Sequence, residues 1–244
     1  MLVRYGIMNY RCLLIDHDDT TVDSTPSVHH KAHIEQMHRL GREDQILSLP
    51  DWFRINYDPG LVHYMNEVLR LTREEQQLCY SIWREYTTTL VPPFFPGILP
   101  LLKRFSTQGG IVVVVSHSEP DIIRRHYAEQ REVPGFIPHL IIGWTGDREK
   151  NKPFTWPVET VLENYALSPE ELLVVDDLKP GITMARNAGI ASVGVGWSHQ
   201  LEELKQDIRA YSTYYAETVE ELEQLIFSKE KRSPGGKSGR GGKL

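Results

Sequence analysis

The chain has 244 residues, 40% hydrophobic and 25% charged, the balance of a globular protein with a sizeable core, either one domain with an insertion or two small domains. Its formal net charge of −6 speaks against a nucleic-acid partner, and no apolar stretch is long enough to span a bilayer. Arg4 and Arg11 interrupt anything like a signal peptide, and Cys12 and Cys79 are too few for a disulfide framework, so a cytoplasmic protein is expected.

In chain order, Cys12-Leu13-Leu14-Ile15 predicts a fully buried strand that stops at Asp16-His17-Asp18, followed by Asp19-Thr20-Thr21-Val22-Asp23-Ser24. Open parallel sheets put their ligands beyond the carboxyl ends of strands, and Asp16 and Asp18 face one such space. Two carboxylates there repel, which favours a shared proton or a bound cation; an Asp-rich turn reads the same way on composition alone. Cys12 is expected to pack inside this strand.

From Ser24 to Pro96 the short apolar runs give way to helical spacing, first Val28, Ile34, Met37 and Leu40, then Leu61, Tyr64, Met65, Val68 and Leu69. Thr72-Arg73-Glu74-Glu75 has the form of a capping box ahead of Leu78, Ile82 and Trp83. After Gly97 a helix is expected from Ile98 to about Thr107, then the strand Ile111–Val115 ending in Ser116-His117-Ser118, small hydroxyls suited to holding a phosphate oxygen. Lys152 of Asn151-Lys152-Pro153 is a cation ahead of a helix. Leu172–Val175 runs into Asp176-Asp177, and a helix follows to Ala188, with Gly189 as its C-cap. Apolar strands alternating with helices predict an α/β protein, a Rossmann-like parallel sheet core with an inserted helical cap domain. The expected division is 1–23 with 97–227 for the core and 24–96 for the cap. The basic, Gly-rich segment 228–244 is expected to be a disordered, solvated tail.

In order and spacing these motifs resemble the haloacid dehalogenase superfamily of phosphohydrolases, in its phosphoglycolate phosphatase and β-phosphoglucomutase branch. The resemblance runs from about Tyr10 to Ile226. Asp16-x-Asp18-x-Thr20, the strand-end Ser116, Lys152-Pro153 and Asp176-Asp177 with Gly181 carry it, while Asp19 stands where the family usually has Gly and Thr21 where it usually has Leu.

The resemblance implies a Mg²⁺-dependent phosphatase acting on a small phosphate monoester through an aspartyl-phosphate. Asp16 is then the nucleophile and Asp18 the general acid and base. Asp16, the backbone carbonyl of Asp18, Asp176 and Asp177 hold Mg²⁺, and Ser116 and Lys152, with Lys150 as the alternative lysine, bind the phosphoryl oxygens. The helical insert is implied to be a mobile cap that closes over the site. A phosphomutase of the same superfamily is the nearest rival, but its cap-hinge histidine falls about where this chain has Val28. A dehalogenase has no use for Asp18 or for the Asp176-Asp177 pair. A non-catalytic binding protein on the same fold is the option from another class.

His117 either lines the substrate pocket or caps the helix beginning near Glu119. Trp52, Phe53, Arg54 and Tyr57 make an aromatic patch that serves either substrate selection or cap packing, with Arg54 the residue assigned to substrate. His29, His30, His33 and His38 read as a solvated or entrance-lining helix face; His29 and His33 also have the i, i+4 spacing of a metal pair, with no Glu or Cys to complete a zinc pattern. The choice of phosphate ester is left open between phosphoglycolate, sugar phosphates, nucleotides and phosphorylated cofactors, and the oligomeric state is unread.

Overall fold

A computed structural model describes residues 8–227, so the tail expected at 228–244 lies outside the described residues. The chain begins with β1 (Cys12–Ile15), then turns helical through a π-helical turn (Thr25–His29), α1 (His30–Arg39), α2 (Leu49–Tyr57), the short α3 (Leu61–His63) and α4 (Arg73–Thr89). It continues through α5 (Ile98–Thr107), β2 (Ile111–Val115), α6 (Pro120–Glu129), β3 (Leu140–Ile142) and α7 (Trp156–Tyr165). The remaining elements are β4 (Leu172–Asp176), α8 (Lys179–Asn187), β5 (Ala191–Val195), α9 (Glu202–Tyr211), β6 (Tyr214–Ala216) and α10 (Val219–Ile226).

The strands form one six-stranded sheet in the order β3-β2-β1-β4-β5-β6. Every pairing is parallel, with Cys12 opposite both Ile111 and Leu172. Alternate residues feed two cores. Leu13, Ile15, Val112, Val114, Leu173 and Val175 pack under α5, α6 and α10, while Cys12, Leu14, Val113, Val115, Leu172 and Val174 pack under α7 and α8. This covering on both faces explains why the strands are apolar throughout and do not alternate with polar residues. Each large side chain sealed there, Phe105 or Leu102 for example, stabilises the fold by roughly 1.5–3 kcal/mol.

The helical insert has a small core of its own, in which Met37, Tyr64, Leu69, Leu71 and Cys79 meet. The Thr72–Glu75 capping box forms and starts α4. One expected core position does not hold. The stretch Tyr64–Val68 is a π-helical turn rather than a continued α-helix, which turns Val68 outward to 57% exposure while Tyr64 and Leu69 stay buried. Among the described residues no helix is long and apolar enough to cross a membrane.

Candidate active site

The carboxyl ends of β1, β2 and β4 converge on one buried cluster. Asp16 is the first residue beyond β1, tied to β4 by its backbone N–H on the Val175 carbonyl at 2.9 Å, and Asp176 closes β4. Lys152, from the loop between β3 and α7, donates from Nζ to Asp16 Oδ1 at 2.6 Å and to Asp176 Oδ2 at 2.7 Å. Asp177 completes the cluster and accepts from the Thr20 hydroxyl at 3.0 Å. Asp16, Lys152, Asp176 and Asp177 are each no more than 5% exposed. Gly181 at the start of α8 is obligatory, because a Cβ there would come within 1.9 Å of Asp176 Oδ2.

Lys152 is set from behind. The His117 ring donates through Nε2 to the Lys152 carbonyl at 3.0 Å, and Asn151 donates to the Ser116 carbonyl at 2.7 Å while accepting from the Lys152 backbone N–H at 2.7 Å. His117 does not cap α6, whose N-cap is Glu119; the exposed ring braces the lysine loop beside Ser116. The alternative lysine, Lys150, is exposed and pairs with Asp147 at 3.3 Å.

Burial pushes the Asp16 and Asp177 carboxyls well above the usual carboxylate range, helped in each case by the neighbouring acids, with Lys152 pulling the other way. The Lys152 ammonium is held above its ordinary value because the pull of Asp16 and Asp176 outweighs its burial. Three acids share one cation, so full ionisation of the cluster calls for further positive charge. Oxygens of Asp16, Asp176 and Asp177 lie within 4.8 Å of one another, an all-oxygen donor set that fits a hard divalent cation such as Mg²⁺.

Asp18 sits at the edge of this cluster, its side chain 22% exposed. Oδ2 accepts from Ser118 Oγ at 2.6 Å and from Ser116 Oγ at 3.3 Å, and Oδ1 faces His29 Nε2 at 3.0 Å. Burial alone would raise the Asp18 pKa, but His29 and Ser118 hold it well below the usual range. His29 and Ser118 thus favour the ionised form of Asp18 in this conformation. Ser116, expected to hold phosphate, is engaged here with Asp18 and with the Ser118 backbone N–H.

The histidine cluster corrects the sequence reading. His29 reaches Asp18, and His33 is buried and accepts from the Leu47 backbone N–H at 3.0 Å, so the two do not share a ligand. His30 bonds the Leu47 carbonyl at 2.9 Å, and His38 alone lies on an exposed face. The sequence argument placed Val28 at the cap hinge; the π-helical turn Thr25–His29 widens the helix there, and it is the next residue, His29, that faces the site.

Both departures within the first motif have local causes. Asp19 has φ 58, a left-handed conformation that Gly adopts freely and Asp tolerates, and its carboxylate accepts from the Thr25 N–H at 2.9 Å and the Thr25 hydroxyl at 2.5 Å. It thereby ties the motif loop to the first turn of the helical insert. Thr21 donates to the His17 carbonyl at 2.9 Å, so its oxygen accepts from His17 Nδ1 at 3.0 Å, and His17 Nε2 in turn accepts from His126 Nδ1 at 2.9 Å. Burial lowers His17 to about 3 and His126 to about 4, keeping this pair neutral.

The aromatic patch is packing. Trp52, Phe53 and Tyr57 are buried, Tyr57 against Ile182 and Ile208 of the core. Arg54, assigned to substrate on sequence grounds, is not brought to the carboxylate cluster: it is exposed and pairs with Asp51 and with Glu203 of α9, both at 2.9 Å. The partnership of His29 with Asp18 and the parts of Trp83 and Asn151 went unread in the sequence. Thr20 stood within the first motif and Ser118 among the strand-end hydroxyls, neither with a role of its own.

The family model for haloacid dehalogenase-like hydrolases matches residues 14–195. Phosphoglycolate phosphatase of Vibrio cholerae is 27% identical over 133 residues, 52% of this chain and 56% of that protein. The chain thus spans about half the length of its Vibrio relatives. Among solved structures, a haloacid dehalogenase-like family hydrolase from Streptococcus pneumoniae superposes with a TM-score of 0.66 at 20% identity, covering 89% of this chain and 97% of that one. CbbY from Rhodobacter sphaeroides, in complex with xylulose-1,5-bisphosphate, does so with a TM-score of 0.66 at 16% identity, covering 86% and 94%. At these identities the likeness is one of fold.

Proposed function

Since the chain belongs to the haloacid dehalogenase-like hydrolase family, we propose that it is a Mg²⁺-dependent phosphatase of small phosphate monoesters. The observation that carries the reading is the buried cluster of Asp16, Asp176 and Asp177 bridged by Lys152, with Asp18 at its edge. A scaffold has no need to bury so many charges. Phosphoglycolate phosphatase among the relatives, and a bisphosphate in one structural neighbour, support this substrate class.

An Asp16 carboxylate oxygen attacks phosphorus in line, forming the aspartyl-phosphate as the bond to the leaving oxygen breaks. Asp18, held as a carboxylate at rest, first takes up a proton from solvent, passes it to the leaving alkoxide, then receives one from the water that cleaves the acyl phosphate and releases inorganic phosphate. Lys152 and Ser116 hold the phosphoryl oxygens and offset their charge in the transition state, once Ser116 turns from Asp18. Asp16, Asp176, Asp177 and the Asp18 carbonyl would hold Mg²⁺, which when bound would supply positive charge to offset that of the phosphoryl group. Residues 24–96 act as a cap that must part from the core to admit substrate. Their own apolar core and an edge joined to the helices of the sheet domain by exposed ion pairs support that division.

One observation favours a second reading. With His29 on Asp18, the argument against a phosphomutase from Val28 loses its force, and such an enzyme would pass the phosphoryl group from Asp16 to a sugar hydroxyl. The test is a panel of alkyl, sugar and nucleoside monophosphates with Mg²⁺. Phosphate release by the wild type that disappears in Asp16→Asn and in excess EDTA is expected. Undiminished turnover in either arm would overturn the mechanism, isomerised sugar phosphate without phosphate release would favour the mutase, and an inert wild type would favour a binding protein.

A further inference from the structure

Trp83 lies on α4, in the helical insert. Its indole Nε1 is 3.2 Å from His29 Nδ1, while the opposite ring nitrogen of His29 is 3.0 Å from Asp18 Oδ1. An indole nitrogen can only donate, so His29 Nδ1 must accept, and the single proton of the neutral ring is left on Nε2, aimed at Asp18. A proton on Nδ1 would set two N–H groups against each other. The chain of bonds has one direction, Trp83 to His29 to Asp18. We propose that Trp83 is a positioning residue: its N–H fixes the tautomer and the plane of His29, so that each closure of the cap presents an N–H to the Asp18 carboxylate.

The placement of the two partners matters. His29 ends the π-helical turn and Trp83 comes from α4, both in the insert, whereas Asp18 belongs to the core loop. The bond that crosses between the two parts is therefore His29 to Asp18, and the bond within the insert is Trp83 to His29. When the cap parts from the core the inner bond persists and the ring stays set. The other Asp18 oxygen is held from the core side by Ser118 at 2.6 Å. One oxygen is thus oriented by the core permanently and the other by the cap only on closure. An imidazole fixed beforehand loses less freedom on docking than one that must choose its tautomer and rotamer in place.

The inference rests on the reading of Asp18 as the group that handles the leaving-group proton, and its test separates the two. In the full chain, long-range ¹⁵N–¹H correlation spectra of the histidine rings should show His29 with a bare Nδ1 and a protonated Nε2, and Trp83→Phe should introduce the other tautomer. A wild-type His29 with its proton on Nδ1, or a spectrum that ignores Trp83→Phe, overturns the proposal whatever the enzyme does. In turnover, Trp83→Phe should lower kcat for an alkyl monoester by about tenfold with KM held within about twofold, and lower it by less than about threefold for 4-nitrophenyl phosphate, whose leaving group needs little protonation. Equal losses on both esters would assign Trp83 to packing alone. Adding Trp83→Phe to His29→Ala should cost nothing further; an additive loss overturns action through His29. Failure of the phosphatase reading looks different, with no ester turned over by the wild type while the spectra still decide the tautomer.

Discussion

Two sets of ion pairs in this molecule join basic side chains to carboxylates and do different work. At the carboxyl end of the sheet, Lys152 lies sealed between Asp16 and Asp176. Around the margin of the helical insert, Arg54 joins Glu203, Lys179 joins Asp207, and Arg84 joins Glu119 and Asp121, most of them open to water. Burial decides the difference: a sealed charge without its partner has nowhere to recover its hydration, while an exposed one falls back on solvent. The inner set fixes a charged geometry permanently, and the outer set can part and re-form with little cost.

Removing the inner cation is the largest way to break the contrast. Lys152→Met should destabilise the metal-free protein by about 3–5 kcal/mol at neutral pH, because it leaves Asp16 and Asp176 facing each other unpaired. Urea unfolding at equilibrium reads this, and a variant as stable as the wild type would show that the buried carboxyls do not depend on the lysine.

A smaller effect comes from Asp19, raised by burial from 3.8 to about 6 against the bonds it accepts from Thr25. A carboxyl with a raised folded-state pKa binds its proton more tightly in the folded form. Its contribution to stability is complete below about 3.8 and is lost as pH climbs through about 6. Metal-free protein should therefore weaken over that window, with Asp16 and Asp177 pulling in the same direction and Asp18 in the opposite one. Denaturant midpoints across the window should fall less steeply in Asp19→Asn, and an unchanged slope would remove Asp19 as a source.

The smallest effect belongs to the outer set. Arg54→Ala should leave kcat and KM on every ester within about twofold, since an exposed pair contributes little and the side chain does not reach the cluster. A selective loss on one class of ester would restore Arg54 to substrate recognition and blur the contrast between the two sets.

The sheet and its acidic strand ends were legible because they depend on residue type at one place in a strand. Apolar runs that stop at Asp16, Ser116 and Asp176 name their own positions, and Lys152-Pro153 stands between two of them. What escaped depends on backbone geometry that residue types do not announce. A single π-helical turn moves the facing position from Val28 to His29, and another turns Val68 to solvent. Arg54 misled because a lone cation among aromatics looks like a ligand group until its partners, Asp51 three residues away and Glu203 on a distant helix, are seen. Asp19 and Thr21 looked like defects in the motif, and their roles as a turn former and a histidine partner follow only from the path of the loop.

The register of β1 also sets a schedule. Cys12 pairs with Ile111 on one side and with Leu172 on the other, so the central strand, synthesised first, has no complete set of neighbours until the chain has grown past β4. Contacts so far apart in sequence form late and slowly. The helical insert, with its own small core, emerges from the ribosome before either partner of β1 and can begin to organise first. Through that interval Cys12–Ile15 is a bare apolar segment with unpaired edges, the feature that invites wrong pairings. The segment that aims Asp16 at its target is thus also the one most dependent on the rest of the chain arriving in time.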